Sequence, residues 1–132
     1  MTANGLVTIP SRHRVKETID RLEADAKAKG MTIFARVDHA AGATAAAMAL
    51  RPTELLVFGN AKAGTPLMQA SQAIGIDLPL KALAWEDDAG KVWLAYNDPT
   101  WLAARHGIDQ ATANVTAAMT AALAALAQHA AA

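Results

Sequence analysis

The residues best suited to hold a small ligand are gathered in one short window, "FGNAKAGTPLM", between two apolar segments. Asn60, Lys62 and Thr65 supply hydrogen-bonding groups and a positive charge there. Thr65 followed by Pro66 predicts the start of a helix, because threonine is a good N-cap residue and proline suits the first helical position. The free N–H groups of a helix start, with Lys62 beside them, would attract an anion such as a carboxylate or a phosphate.

A second interpretation of this window needs no ligand. Capping accounts for the threonine and the proline, and Gly59 and Gly64 form the turns between a strand and the helix. The window lacks the Gly-Lys-Ser/Thr run of a Walker motif. Both interpretations stay open, and the ligand-binding one assigns the site to Asn60, Lys62, Gly64, Thr65, Lys81 and Tyr96.

The segment "LPLKALAWEDDAGKVWLAYND" predicts a β-hairpin with its turn at Asp87–Gly90. This turn would place Lys81 opposite Tyr96 at the end of the core face, with Trp93 on the other face. An ammonium and a phenol together would orient a ligand; alternatively, the lysine stem covers apolar surface and the hydroxyl bonds to the backbone. The small, apolar Trp93 face indicates cover by another element or another chain.

His39 is the weak candidate for a catalytic base. It stands at the start of a short, alanine-rich predicted helix, where a neutral imidazole would accept a proton while the Gly59–Thr65 loop stabilises an anion. Filling a polar niche is the alternative role. His13, His106 and His129 lie on separate elements without His-x-x-x-His spacing, so no metal site is expected.

The amino-acid composition restricts the kinds of partner that we expect for this protein. The 132 residues are enough for one domain with a sizeable core, and a single domain over residues 1–132 is expected. Twelve basic side chains balance twelve acidic ones, which argues against nucleic acid and membrane surfaces as partners. There is no cysteine in the sequence, and its apolar pattern leads us to expect no signal peptide and no membrane span. We therefore expect a soluble, cytoplasmic protein without a cofactor.

Hydrophobic periodicity predicts the elements that must position these residues. The first long helix has an apolar stripe at Val15, Ile19, Leu22 and Ala26. The last helix has one at Val115, Met119, Leu123 and Leu126. Alternation in "MTIFARVD" predicts a strand with Ile33, Ala35 and Val37 on one face and Phe34 and Arg36 on the other.

Two aspartates are placed to cap helices, Asp38 before an alanine-rich helix of about residues 40–50 and Asp109 before the last helix. The order of elements is strand, helix, four further strands with short helical insertions, and a long helix. This order implies an α+β two-layer sandwich. Its sheet would be mainly antiparallel and five-stranded, with the long N- and C-terminal helices on one face.

Four motifs in sequence order resemble a bacterial family known as domain of unknown function 302: "FARVDHAAGA", "LLVFGNAKAGTPLM", "GIDLPLKALAWEDDAGKVWLAYNDP" and "LAARHG". The resemblance covers almost the whole chain. It implies a two-layer fold of the TATA-binding-protein-like class and a homodimer, and it implies no established activity. Relatives usually read Phe-Gly-Asn-Pro-Lys where this chain has Ala61, so a proline that would stiffen the loop is missing.

Three functional hypotheses follow. The leading one is a non-catalytic homodimeric domain that binds a small ligand, with an anion among the candidates, between the sheet and the helix start. The second is an enzyme in which His39 is the general base and the Gly59–Thr65 loop is the anion site. The third is a structural or partner-binding dimer that uses the Trp93 face and has no small-molecule site.

Overall fold

A computed structural model describes residues 4–108 and 110–132 of the chain. A short 3-10 helix, Gln72–Asp77, precedes the fourth strand. The strands are β1 (Leu6–Ser11), β2 (Thr32–Asp38), β3 (Thr53–Gly59), β4 (Leu80–Glu86) and β5 (Val92–Asn97). The helices are α1 (Val15–Ala28), α2 (His39–Ala45), α3 (Ala61–Ala70), α4 (Pro99–Arg105) and α5 (Ala113–Ala131).

The five strands form one antiparallel sheet in the order β1-β5-β4-β3-β2. The long helices α1 and α5 contact each other and pack on one face of this sheet. The predicted stripe of α1 is buried there, because its residues recur every three or four positions and so share one side of the helix. The predicted α+β two-layer sandwich is therefore confirmed.

The register of the β4–β5 hairpin differs from the prediction by one residue. Trp85 lies opposite Trp93, because the turn is closed by Asp87 and Lys91 around three residues instead of four. The Asp87 carboxylate accepts the Lys91 N–H at 2.9 Å and the Trp93 indole N–H at 2.9 Å, and Gly90 has a φ of 81°. A three-residue loop of this kind needs a left-handed last residue, which glycine provides.

This register reverses the predicted environments of two candidate site residues. Tyr96 pairs with Ala82 and faces the helices, where it is 8% exposed. Lys81 pairs with Val57 on the opposite face. The predicted pairing of Lys81 with Tyr96 is wrong, because one residue of slip moves a side chain to the other side of a sheet.

A bulge in β2 interrupts the predicted alternation of that strand. The pairing with β3 shifts between Ile33 and Ala35, so Ile33 and Arg36 share the helix face while Phe34 is left 56% exposed. Arg36 therefore faces inward, and its guanidinium donates to Asp20 at 2.7 Å and to Glu54 at 2.9 Å. These two contacts join α1, β2 and β3.

The helix termini follow the sequence in part. The Asp38 carboxylate accepts the Ala41 N–H at 2.9 Å, so the predicted cap of α2 is confirmed. This helix ends at Ala45, five residues before the predicted end. The predicted cap at Asp109 lies outside the described residues.

Side-chain contacts hold the remaining segments together. Arg105 donates to both carboxylate oxygens of Asp77 at 3.0 Å, and the imidazole of His106 pairs with the same carboxylate at 2.6 Å. These bonds fasten the end of the 3-10 helix to α4. At the other end of the molecule, His129 of α5 pairs with Asp25 of α1.

The sheet face opposite the helices is apolar, and we call it the open face. Its centre consists of six apolar residues of β3, β4 and β5: Leu55, Val57, Leu83, Trp85, Trp93 and Ala95. Lys81 lies on the same face, opposite Val57. None of these six apolar residues belongs to the core cluster under the helices, although Ala95 is itself buried at 2% exposure. The Trp93 face of the prediction is therefore larger than expected, since it also holds Trp85 and Leu83, while Ala82 and Ala84 lie in the core.

Candidate functional site

The helix in the candidate window begins five residues earlier than predicted. α3 starts at Ala61, and its N-cap is Asn60, whose side-chain oxygen accepts the Ala63 N–H at 2.8 Å. Thr65 is a residue of the helix body and not its cap. Asn60 is favoured because β3 continues to Gly59 and leaves no room for a longer loop.

The glycines of this window are not turn residues. Gly59 ends β3 and Gly64 lies inside α3, and neither has a positive φ. A Cβ atom at Gly64 would meet the nearest Leu78 side-chain atom at 3.7 Å, an ordinary contact distance. The backbone does not require glycine at either position, so the predicted turn role of Gly59 and Gly64 is wrong.

Pro66 lies inside α3 instead of at its first position. Because proline has no N–H, the carbonyl of Lys62, four residues earlier, lacks its intrahelical donor. The first N–H groups of α3, at Ala61 and Lys62, also precede the first intrahelical hydrogen bond. The start of this short helix therefore has backbone groups free to bond to other molecules.

A cavity of about 720 Å³ lies between α3 and α5 at the Gly59 end of β3. This volume is in the range that holds a small organic molecule. It is lined by Met31, Phe34, Gly59, Asn60, Ala61, Lys62, Ala63, Gly64, Thr65, Met68, Gly75, Leu78, Pro79, Leu80, Asn114, Val115, Ala118, Met119, Ala122 and Leu123.

The lining is divided by polarity. The floor is apolar and buried, with Leu80, Met119 and Leu123 at 7%, 7% and 2% exposure. The polar lining residues are all exposed and so form the rim: Asn60, Lys62, Thr65 and Asn114. Lys62 is the single charged residue of the lining and has no ion-pair partner in residues 4–108 and 110–132.

Four of the six predicted ligand-binding residues meet at this cavity: Asn60, Lys62, Gly64 and Thr65. Lys81 and Tyr96 do not line it, and they lie on opposite faces of the sheet. Burial raises the pKa of the Tyr96 phenol above its ordinary value, and the nearby Asp98 carboxylate adds to this effect. Tyr96 is thus a neutral core residue at physiological pH.

His39 lies at the far end of the sheet from the cavity. It follows the last residue of β2, whereas Thr32, the first, pairs with Gly59 beside the cavity. Six residues of extended chain span about 20 Å. Such a distance exceeds a water-bridged hydrogen bond, so the enzyme hypothesis with His39 as base at this loop loses its geometric basis.

The other histidines bond to carboxylates or to the chain end. His13 contacts Glu17 at 2.9 Å and the carbonyl of Ala132 at 2.8 Å, and His106 and His129 pair with the aspartates described above. Across residues 4–108 and 110–132, no group of three or more His, Cys, Asp or Glu side chains is arranged to hold a metal ion. Within the same residues, no helix is long and apolar enough to cross a membrane.

Sequence reasoning missed the distant parts of the cavity wall. Phe34 reaches the cavity because of the β2 bulge, and Leu78 and Pro79 reach it through the segment before β4. On α5 the wall combines residues of the predicted stripe with two small residues beside it, Ala118 and Ala122. The repeat of small side chains at four-residue spacing was the available signal, since it leaves space beside a helix.

The fold and the cavity define a small two-layer α+β domain with one helix-covered sheet face, one open face and a ligand-sized cavity at one end of the sheet. The chain belongs to the family described as "Domain of unknown function DUF302", which matches residues 7–126. The predicted resemblance is confirmed. A crystal structure of an uncharacterized conserved DUF302 protein from Bacillus stearothermophilus has the same fold, with a TM-score of 0.84 at 21% identity. The alignment covers 96% of this chain and 98% of that one.

Two curated relatives are named as fluoride-specific ion channels. The "Fluoride-specific ion channel FluC 1" of Brucella suis biovar 1 is 60% identical over 105 residues, 80% of this chain and 41% of that protein. The protein of the same name from Brucella abortus biovar 1 is 60% identical over 105 residues, 39% of its length. The chain therefore spans about two fifths of the length of these relatives.

Proposed function

We propose that this protein is a small homodimeric binding domain that holds a small, mainly apolar organic molecule in the cavity between α3 and α5. The observation that supports it is the cavity itself, with its buried floor and exposed polar rim. Sites for small molecules are concave, mostly apolar and equipped with a few polar groups that orient the ligand. The cavity has this character.

The side chains of the floor favour ligands of variable shape. Met31, Met68 and Met119 all line the cavity. Methionine is unbranched and polarizable, so it adapts to different apolar surfaces. The site is therefore suited to a class of related molecules.

A neutral dye whose emission rises in apolar surroundings, N-phenyl-1-naphthylamine, tests this function directly. The wild-type protein should bind it with one site per chain. Ala122→Trp should weaken binding by obstructing the cavity, whereas Ala117→Trp, at an exposed position on the other side of the same helix, should not. Equal binding by both variants, with unchanged melting temperatures, would place the dye elsewhere and contradict the proposal.

The open face is the proposed dimer interface. A contiguous apolar surface of this kind marks an interaction site in soluble proteins. A second copy of the chain is the occupant that presents the same surface, and a two-fold axis would bring like faces together. The dimer would leave the cavity free, because the cavity lies between the helices on the other side of the sheet.

A second candidate function is specifically favoured by the 60% identity to proteins named as fluoride channels. We propose that the domain acts beside such a channel, as a part that lies outside the membrane. If so, cells that lose this chain should become more sensitive to fluoride, and the chain should restore resistance. Unchanged sensitivity in cells that retain a working channel would reject this role.

A further inference from the structure

We propose that the ligand of the cavity is an apolar carboxylate, a molecule with one negative head group and an apolar body, bound head outward at Lys62. This inference rests on the proposed function and assigns the chemical class of its ligand. Three features of the cavity carry it: the charge of the lining, the direction of the polarity gradient and the hydrogen-bonding capacity left at the rim.

The charge of the lining residues favours a negatively charged ligand. Of the twenty residues among 4–108 and 110–132 that line the cavity, Lys62 alone is charged. Because none of these described lining residues is a carboxylate, a cationic ligand would meet a like charge and no partner among them. The chain as a whole has a formal net charge of +0, so attraction to an anion is a property of this site and not of the whole surface.

The polarity gradient sets the orientation of the ligand. Buried side chains such as Leu80 and Leu123 form the floor, and Lys62 and Asn60 are exposed at the rim. Burying an unpaired carboxylate among apolar side chains is strongly unfavourable, whereas a head group at the rim keeps contact with water. The apolar body therefore occupies the floor.

The rim has hydrogen-bond donors available to a carboxylate. The side-chain oxygen of Asn60 already accepts the Ala63 N–H, which leaves its NH₂ group as a donor. The N–H groups of Ala61 and Lys62 precede the first intrahelical bond of α3. Together with the Lys62 ammonium, these groups match an acceptor-only head group.

A single negative charge fits the rim better than a double one. One lysine neutralises one carboxylate, while a phosphate monoester carries about −1.5 to −2 at neutral pH. No arginine lines the cavity to form a two-pronged pair with a phosphate. The head group is therefore assigned to a carboxylate.

Displacement of the neutral dye by matched eight-carbon compounds tests this assignment. Octanoate, 1-octanol, octylammonium and octyl phosphate have the same apolar body and differ in the head group. For the wild-type protein we expect octanoate to bind about fivefold more tightly than octanol, as for an ion pair near the surface. Octylammonium should bind more weakly than octanol.

Two variants test whether the preference for octanoate over octanol depends on Lys62. Lys62→Met should remove the preference for octanoate and leave the affinity for octanol unchanged. Lys29→Met, which changes an exposed lysine that does not line the cavity, should retain the wild-type preference. Melting temperatures of both variants report whether the fold is retained.

Each other outcome overturns a defined part of the inference. Equal affinity for octanoate and octanol would show that the site does not select an anionic head group, and the proposed function would still stand. Tighter binding of octyl phosphate than of octanoate would replace the carboxylate by a phosphate. If neither the dye nor any of the four compounds binds, the proposed function fails together with the ligand class.

Discussion

Asn60 combines a structural and a proposed binding role in one side chain. Its oxygen caps α3, and its NH₂ group points away from that bond at the rim of the cavity. Lys62 stands two residues later, so the cap and the charge are positioned by the same helix start. Capping alone thus explains Asn60 but leaves the unpaired Lys62 without a structural role.

Asn60→Asp separates the two roles, because aspartate is an equally good N-cap but carries a negative charge. We expect the free energy of unfolding to remain within about 0.5 kcal/mol of wild type. The preference for octanoate over octanol should disappear, since the new carboxylate repels the head group. Asn60→Ala is the matched control and should cost about 1 kcal/mol of stability. An unchanged octanoate preference in Asn60→Asp would show that the head group does not lie at this rim.

The environment of the Asp20 carboxylate predicts that the folded protein loses stability at acid pH. A hydrogen bond from Lys16, and further contacts with Arg36, hold the pKa of Asp20 below its ordinary value, although burial acts in the opposite direction. The folded state therefore favours the carboxylate. Its contribution to stability is complete above the ordinary pKa of 3.8 and is lost as the pH falls through the lower, folded-state pKa.

Asp20→Asn should accordingly destabilise the protein near pH 6, and the difference from wild type should shrink as the pH falls below about 4. Urea unfolding between pH 6 and pH 2 measures this difference. Asp88→Asn, in the exposed turn of the hairpin, is the control and should show no comparable trend. A difference between Asp20→Asn and wild type that is constant with pH would contradict this explanation.

At the scale of elements, the start of α3 is suited to a proline at position 61, the residue that the family resemblance implies there. Ala61 is the first residue of the helix, where a missing N–H has no cost, and Asn60 before it is extended with φ −145° and ψ 151°. Ala61→Pro should raise the free energy of unfolding by about 0.5 to 1 kcal/mol, because it restricts the unfolded chain. Ala63→Pro should instead destabilise, since it removes the N–H that bonds to Asn60. Denaturant unfolding compares the two variants, and a destabilising Ala61→Pro would contradict this helix start.

Elements with a strong apolar period were predictable from the sequence. The stripe of α1 and the order of the elements along the chain depend on the local pattern of apolar residues. The hairpin register was not predictable, because the Asp87 side chain decides between a three- and a four-residue turn. The same holds for α3, where Asn60 and Thr65 are both good caps and the end of β3 decides between them. The cavity depends on α5, which follows the window by about fifty residues, so no local pattern contained it.

The whole molecule has two separate surfaces for two proposed interactions. The cavity lies on the helix side, and the open face lies on the other side of the sheet. Leu83 occupies the middle of the open face, between Leu55 and Ala95 on the neighbouring strands. Ligand binding and dimer formation should therefore be separable by mutation.

Leu83→Arg tests the dimer, because a charge at the centre of an apolar interface is costly to bury. In sedimentation velocity the wild-type chain of 13.7 kDa should sediment as a dimer, and Leu83→Arg as a monomer that still binds the dye. Ala28→Arg, on the exposed side of α1, should remain dimeric. A wild-type protein that is monomeric at high concentration would remove the proposed interface.

The facing pair Trp85 and Trp93 also allows one fluorescence measurement to distinguish dimer formation from ligand binding. Both indoles lie on the open face, and no tryptophan lines the cavity. Intrinsic emission should therefore shift to the blue when two chains associate and water leaves the indoles, and shift to the red on dilution. Addition of octanoate should leave the emission wavelength unchanged. Tryptophan emission therefore reports dimer formation and does not respond to a ligand in the cavity.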